Sequence, residues 1–343
     1  MMSTRAIALD AMGGDGTPQV RIQGALDAVA DYDLSVCLVG PIKRLRRELG
    51  RFRSVPSRLE LVDATDVVEM QDSPLSVLRS KRNSSLSVCA ELVRNGRASA
   101  MVTAGNTGAA WVAAKSALGM IAGVERPALA AILPKLDGHT LVLDVGANVE
   151  AKPNQLVQFA VMGSYYASAV LGMENPRVGL MSVGEEETKG GPRVRRQYKV
   201  LKQAGINFIG NVEGRDVFTG AVDVVVCDGF TGNVVLKVAE GLGEMVVGML
   251  KEEARQSPLY GAGLVLAKGA FRNVKRKVDY AEHGAAPLLG VNGACLIGHG
   301  RSTARAIRNA IRFADSYASS DVIEQIGDKI FEVLSEPIVS REG

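Results

Sequence analysis

The residues best suited to chemistry in this 343-residue chain sit in four short glycine turns. They are Asp10-Ala11-Met12-Gly13-Gly14-Asp15, Ala104-Gly105-Asn106-Thr107-Gly108, Asp144-Val145-Gly146-Ala147-Asn148-Val149 and Asp228-Gly229-Phe230-Thr231-Gly232-Asn233-Val234. Each follows an apolar run of strand type and feeds a helical pattern. A helix that starts there presents free N–H groups and the positive end of its dipole, which suits phosphate or another anion. Glycine lets the backbone come close, while Asn and Thr add neutral hydrogen bonds. Converging, the four turns would form one site for an anionic ligand; singly, each serves equally well as a chain reversal. None matches a Walker A loop or a GxGxxG turn opening a helix, so ordinary nucleotide-binding readings lose support.

A fifth candidate is the acidic run Gly184-Glu185-Glu186-Glu187-Thr188-Lys189-Gly190-Gly191. Two readings stand from spacing alone. Either the loop is solvated and Lys189 pairs with a Glu, or Lys189 enters the site as a cation for phosphate or a developing oxyanion. Histidine is scarce: His139 in an Asp-Gly-His-Thr turn, His283 beside Glu282, and His299 after an apolar run, placed either to reach a site or to cap a loop. No GxSxG elbow supplies a serine nucleophile, and no spacing of His and carboxylates suggests a metal. Cys37, Cys89, Cys227 and Cys295 show no CxxC spacing and read as small buried hydrophobes.

These turns must be carried by a sheet. Candidate strands are Ala6–Asp10, Ser35–Gly40, Leu59–Val62, Ala100–Thr103, Leu129–Leu133, Leu141–Val145, Val178–Val183, Phe208–Val212, Asp223–Cys227 and Ala294–Ile297. Several are continuously apolar, as strands buried on both faces of a parallel sheet are. Pro18 and Pro153 open helices, and Thr231 is placed to cap one running from about Asn233. Alternating strands and helices predict an α/β fold: an open, mostly parallel sheet with helices on both faces. No Pro/Ser linker divides the chain, so residues 1–343 read as a single unit with a helical hairpin or tip at about 233–280.

Composition agrees. Glycine is 38 of 343 residues, above the roughly 7% average, and the excess lies in these turns. The 40 basic and 37 acidic residues leave a net charge of +3, without a global footprint for nucleic acid, and 5% aromatics make stacking platforms for single strands improbable. The N-terminus reaches a strand at once, which predicts no secretory signal. The uncharged run from Pro153 to Met173 is long enough to span a bilayer but carries Asn154, Gln155, Gln158 and two Tyr, which predicts a buried helix instead.

Together with Ile209-Gly210-Asn211-Val212-Glu213-Gly214-Arg215-Asp216 and Gly290-Val291-Asn292-Gly293, the first four turns and the Lys189 run resemble, in order, the motifs of the bacterial phosphate acyltransferases of phospholipid synthesis. That family moves a fatty acyl group from acyl carrier protein to inorganic phosphate. The resemblance implies a fold like the isocitrate and isopropylmalate dehydrogenases and the phosphotransacetylases, with two lobes around a cleft. It also implies a homodimer, and a cytoplasmic enzyme working at the membrane surface.

Phosphate is already an anionic nucleophile and a thiol leaves readily, so this chemistry needs positioning and oxyanion stabilisation more than a Ser–His base. No metal or nucleotide cofactor follows from it. On the resemblance, Gly13, Gly14, Asn106 and Thr107 hold phosphate, Lys189 and Asn233 face the reacting carbonyl, and Asp10 and Asp228 orient the site. Asp15, Asn148 and His299 complete the substrate-binding set. Arg193, Arg195 and Arg196 are candidates for docking an acidic carrier protein. The stretch from Arg255 to Val278 has six cations and no acid, interleaved with apolar residues. It reads either as an interfacial segment on anionic lipid or as a hairpin packed on a dimer mate. The main alternative activity is a phosphotransacetylase acting on acyl-coenzyme A; a metal-dependent hydroxy-acid dehydrogenase on the same fold and a non-catalytic phosphate-ligand sensor are further rivals.

Overall fold

The structure, a computed structural model, describes residues 6–270 and 284–335. Its elements in chain order are β1 (Ala6–Asp10), α1 (Pro18–Asp31), β2 (Val36–Gly40), α2 (Ile42–Leu49), β3 (Leu59–Asp63), α3 (Ser85–Arg94), β4 (Ala98–Thr103), α4 (Thr107–Leu118), β5 (Ala128–Pro134), β6 (His139–Leu143) and α5 (Pro153–Ala169). There follow β7 (Val178–Met181), α6 (Pro192–Leu201), β8 (Phe208–Val212), α7 (Asp216–Thr219), β9 (Val224–Val226), α8 (Gly229–Gln256), α9 (Pro258–Leu266), β10 (Ala286–Leu289), β11 (Ala294–Ile297), α10 (Ala304–Ala318) and α11 (Val322–Ser335).

The strands form one 11-stranded sheet in the order β3-β2-β1-β4-β11-β10-β5-β6-β9-β7-β8. Two apolar cores cover its faces. One gathers Ile22, Phe159, Ile307 and Ile326 from α1, α5, α10 and α11; the other gathers Cys89 and Ala110 from α3 and α4, with Val235 and Leu236 of α8 packed against it. Alternate residues of β1 divide between them, Ile7 and Leu9 to the first and Ala8 to the second, as the two-residue strand period requires.

Strand direction decides where the turns lie. β3, β2, β1, β4 and β11 are parallel; β10 is antiparallel to β11 and to β5; and β6 is antiparallel to β5. β9, β7 and β8 then run parallel to β6. The two halves of the sheet therefore point opposite ways. The β5–β6 hairpin and four-residue β10 form the seam, in which β10 meets β5 through Leu288↔Leu129 and Leu289↔Ala128.

A buried-edge clamp fastens the second half. Lys135 Nζ donates to Asp223 Oδ1 at 2.7 Å and to the Val222 carbonyl at 3.0 Å, while Arg177 grips the same carboxylate through Nε at 2.9 Å and Nη2 at 3.1 Å. Burial alone would raise the Asp223 pKa, but the hydrogen bonds from Arg177 and Lys135 prevail and hold it well below the ordinary carboxylate range. A depressed folded-state pKa gives stability that is complete above the unfolded value and is lost as pH falls toward the folded one. The melting-temperature gap between wild type and Asp223→Asn should accordingly be full at pH 6–7 and narrow steadily below about pH 4. A gap independent of pH would remove the clamp from the account.

The Pro153 run forms the buried helix α5, and no described helix is long and apolar enough to cross a membrane. All four cysteines are reduced and buried. Burial raises their thiol pKa values, to about 11 at Cys37 and about 12 at Cys295. α8 differs from every other helix. It is 28 residues long, only Gly229 and Gly232 are buried, and Val238, Leu242, Met245 and Met249 are 52–62% exposed. Of the predicted tip at 233–280, residues 271–280 lie outside the described residues, as does Phe271 of the cationic segment.

Candidate functional site

The first turn is built on Asp10, which is buried at the end of β1. Its Oδ1 accepts the Met12 N–H at 3.0 Å and the Gly13 N–H at 3.1 Å, and its Oδ2 accepts the Thr103 hydroxyl of β4 at 2.8 Å. Gly13 packs its backbone on the next turn: a Cβ there would stand 2.5 Å from Asp10 Oδ2 and 2.8 Å from Gly105 N. Gly14 takes φ +109°, a conformation open to glycine. The Asp15 N–H reaches the Gly300 carbonyl at 2.9 Å, which joins the loop after β11 to the group.

Asn106 caps α4, its Oδ1 accepting the Ala109 N–H at 3.0 Å while its Nδ2 donates to the Met70 and Asp72 carbonyls at 2.9 and 3.0 Å. His299 Nδ1 accepts the Arg301 N–H at 3.1 Å. The backbone N–H groups of Gly14, Gly16 and Thr17, and of Thr107 and Gly108 at the start of α4, have no partner among the described residues. This end of the sheet thus offers these N–H donors on two neighbouring turns, together with the α1 and α4 N-termini.

The second group repeats the device on β6 and β9. Asp144 is wholly buried and accepts the N–H groups of Leu129, Gly146 and Ala147 on Oδ1, and both the N–H and Nδ2 of Asn148 on Oδ2. Burial still raises its pKa above the usual carboxylate value, against the pull of those bonds. The helix start of α8 is wedged on this turn: Gly229 N–H meets the Asn148 carbonyl at 2.7 Å, and a Cβ on Gly232 would lie 1.9 Å from the Asp144 carbonyl oxygen. Asn148 also donates to the Pro127 carbonyl at 2.7 Å.

The expected Thr231 cap is displaced. Asp228 is the N-cap, its Oδ1 accepting the Thr231 N–H at 2.9 Å, so α8 begins at Gly229 rather than near Asn233. A carboxylate at that position both satisfies an orphan N–H and meets the positive helix end. Asn233, one turn on, is exposed and makes no side-chain hydrogen bond among the described residues.

Lys189 follows β7 at the same end. Glu185 pairs with Arg215 at 3.1 Å and Glu187 with Lys202 at 3.8 Å, and the Lys189 ammonium forms no ion pair among the described residues. Pairing of Lys189 with a neighbouring Glu is thereby set aside. Arg193 is tied to the Ala151 carbonyl at 2.8 Å and lies 3.8 Å from Asp228; Arg195 reaches back to the Thr188 carbonyl at 3.3 Å; Arg196 is exposed.

The expectation of one convergent site needs correction. Gly13, Gly14, Asp15, Asn106, Thr107 and His299 gather around Asp10, whereas Asn148, Asp228 and Asn233 gather around Asp144, with Lys189 in the loop after β7, two strands further on. β1 and β6 are five strand spacings apart, about 24 Å at 4.7–4.9 Å each, and their carboxyl ends point opposite ways. The side chains of Asp10, Asn106 and Asn148 are engaged in shaping turns, while Asp228 gives Oδ1 to its helix cap and holds Oδ2 3.8 Å from Arg193. One residue escaped the sequence reading: Arg21 of α1 is 2% exposed and lies directly under the first turn. Its signal was an arginine three residues after the Pro18 that opens the helix.

Comparison with known proteins places this geometry. The model of the family described as "Fatty acid synthesis protein" matches residues 5–325. The phosphate acyltransferase of Geotalea daltonii is 49% identical over 326 residues, covering 95% of this chain and 94% of its own. That of Pelotomaculum thermopropionicum is 50% identical over 324 residues, covering 94% of each. Among solved structures, a phosphotransacetylase from Streptococcus pyogenes superposes with TM-score 0.65 at 14% identity, covering 92% of this chain and 94% of its own. The 4-hydroxythreonine-4-phosphate dehydrogenase of Klebsiella pneumoniae gives 0.54 at 14%, covering 92% and 98%. Identities that low speak to the fold, which is the α/β dehydrogenase-like and phosphotransacetylase-like one expected.

Proposed function

From the premise that this chain belongs to the phosphate acyltransferase family, and is an acyltransferase, we propose that it transfers a fatty acyl group from acyl carrier protein to inorganic phosphate, giving acyl phosphate for phospholipid synthesis. The observation that carries the reading is the pair of turns at Gly13–Thr17 and Thr107–Gly108 with their unengaged N–H groups, a cradle for a small dianion. Phosphate held there attacks the thioester carbonyl, the tetrahedral oxyanion collapses, and the carrier's thiolate departs. Lys189 and Asn233 are the donors for that oxyanion.

Because β9 and β7, which lead to Asn233 and Lys189, stand six and seven strand spacings from β1, about 29 and 34 Å, and point the other way, those two residues reach the carbonyl from a second copy. Support comes from the uncovered apolar face of α8, which starts at Val234 beside Asn233 and suits a homodimer contact. Arg196, exposed on α6 beyond the Lys189 loop, is the freest of the three arginines for an acidic carrier.

The test is acyl phosphate formation from phosphate with palmitoyl-carrier protein or palmitoyl-coenzyme A as donor. The reading expects the carrier substrate to be preferred and its KM to rise with salt. Preference for the coenzyme A ester would favour the phosphotransacetylase alternative, which the fold neighbours keep in play.

The product is amphiphilic, and the reading places a cytoplasmic enzyme at the bilayer surface. Val265 and Leu266, 70% and 89% exposed on α9, lie within the cationic stretch from Arg255 to Val278. Each Lys or Arg near an anionic surface is worth about 1 kcal/mol, so several together hold the protein reversibly. Val265→Glu with Leu266→Glu should end sedimentation with anionic vesicles while acyl phosphate formation in solution persists. A wild type that never sediments would refute the membrane contact.

A further inference from the structure

We propose that Arg21 is the positioning residue of the phosphate turn: its buried guanidinium fixes the Gly13–Thr17 backbone in its anion-binding shape and sets the affinity for inorganic phosphate. The inference rests on the reading that phosphate binds this turn.

A guanidinium that is 98% buried is costly unless hydrogen bonds and opposite charge compensate it. Arg21 finds both under the turn. Its Nε donates to the Ala11 carbonyl at 3.4 Å and its Nη2 to the Gly16 carbonyl at 2.9 Å. A trans peptide sends its C=O and its N–H in opposite directions, so each bond orients a whole peptide unit. The Ala11–Met12 unit is gripped from both sides, its carbonyl on Arg21 and its N–H on the Asp10 carboxylate. The Gly16–Thr17 unit is held by its carbonyl alone, which turns the Thr17 N–H outward, away from Arg21. That is one of the free donors of the cradle.

The third nitrogen, Nη1, lies 3.4 Å from where a Cβ on Gly14 would stand, a place also 3.0 Å from the Gly300 carbonyl and 3.3 Å from that of Ala104. The guanidinium therefore sits beneath the crossing of the loops that follow β1, β4 and β11. Lysine, a point charge, cannot hold two carbonyls in this fork. Charge completes the case. Asp10 and Asp15 put two carboxylates beside a site meant for an anion, and Arg21 is the buried cation acting on both from below. Its charge offsets those carboxylates at the turn, with Arg44 a further cation nearby.

Initial rates of acyl phosphate formation, at saturating acyl donor and varied phosphate, should show KM for phosphate raised at least about tenfold in Arg21→Gln, with KM for the acyl donor within about twofold of wild type. Arg21→Lys, keeping charge without the fork, should fall between. Without acyl donor, phosphate should raise the melting temperature of wild type and raise that of Arg21→Gln less. An unchanged KM for phosphate in a folded variant, or parallel losses for both substrates, overturns the proposal. Should Arg21→Gln not fold, Arg21→Lys decides it alone, and a wild-type KM for phosphate there overturns it. A wild type that binds phosphate by thermal shift yet forms no acyl phosphate would sink the activity assigned above, while the shift comparison still judges Arg21.

Discussion

Replacing Lys189 or Asn233 by alanine is expected to slow turnover by about 2–4 kcal/mol of barrier each, the scale for losing one donor to a developing oxyanion. Folding should be spared. Both side chains are exposed, and neither makes an ion pair or side-chain hydrogen bond among the described residues, so their removal should shift stability by no more than about 0.5 kcal/mol. Near-normal turnover in both variants would remove them from the mechanism.

The separation of the two turn groups adds a sharper test. Gly14→Ala, with φ +109° and a Cβ 3.0 Å from the Gly300 carbonyl, should spoil the phosphate turn and inactivate the enzyme from the other side. If each site draws on two copies, an equal mixture of Lys189→Ala and Gly14→Ala chains, unfolded and refolded together, forms mixed dimers half the time. Each mixed dimer holds one intact site, so about a quarter of wild-type activity should return. No recovery from a mixture that demonstrably forms mixed dimers would place both groups' work within single chains, and the cross-subunit arrangement would fall.

Gly232→Ala should have the largest effect on folding. Its Cβ would lie 1.9 Å from the Asp144 carbonyl oxygen, 2.9 Å from the carbonyl carbon and 3.0 Å from Cys227 Sγ. Two of these atoms are backbone of a turn already fixed by five N–H bonds, so α8 must lift away from it. Overpacking usually costs about 1–3 kcal/mol; with no flexible neighbour to yield, the loss here should exceed about 3 kcal/mol in denaturant unfolding. Gly241, in the same helix, has nothing within 4 Å of its Cβ position. Gly241→Ala should stabilise by roughly 0.5–1 kcal/mol, the intrinsic helix preference. If the two substitutions behave alike, the wedge between α8 and the Asp144 turn is not what holds that helix.

Ten strands were legible because buried parallel strands write themselves as short apolar runs, and each lies within two residues of its predicted ends. β10 was not legible. It is four residues long and contains Pro287, which a central strand normally excludes. Its role depends on that short piece reversing direction between β11 and β5. Strand polarity is a property of distant pairing, so no local pattern could reveal that the four turns divide into two groups. The turns themselves were readable, but the employment of their side chains was not. Asn106 and Asn148 look the same in sequence whether the amide meets a ligand or its own backbone; here the backbone has both. Lys189 was undecided for a similar reason, since two of the neighbouring glutamates, Glu185 and Glu187, pair instead with Arg215 and Lys202, remote in sequence.

The silence of the four cysteines has a practical side. A thiol attacks an alkylating reagent as thiolate and only where the reagent can reach it. Cys37, Cys89, Cys227 and Cys295 are buried with their ionisation pushed upward, so the folded chain presents no competing thiol on its surface. A single cysteine introduced on the exposed flank of α8, as in Val247→Cys, would therefore take up a fluorophore or spin label alone. The long helix then becomes a ruler from which the approach of a second copy, or of a bilayer, is read as a distance without first stripping the protein of its native thiols.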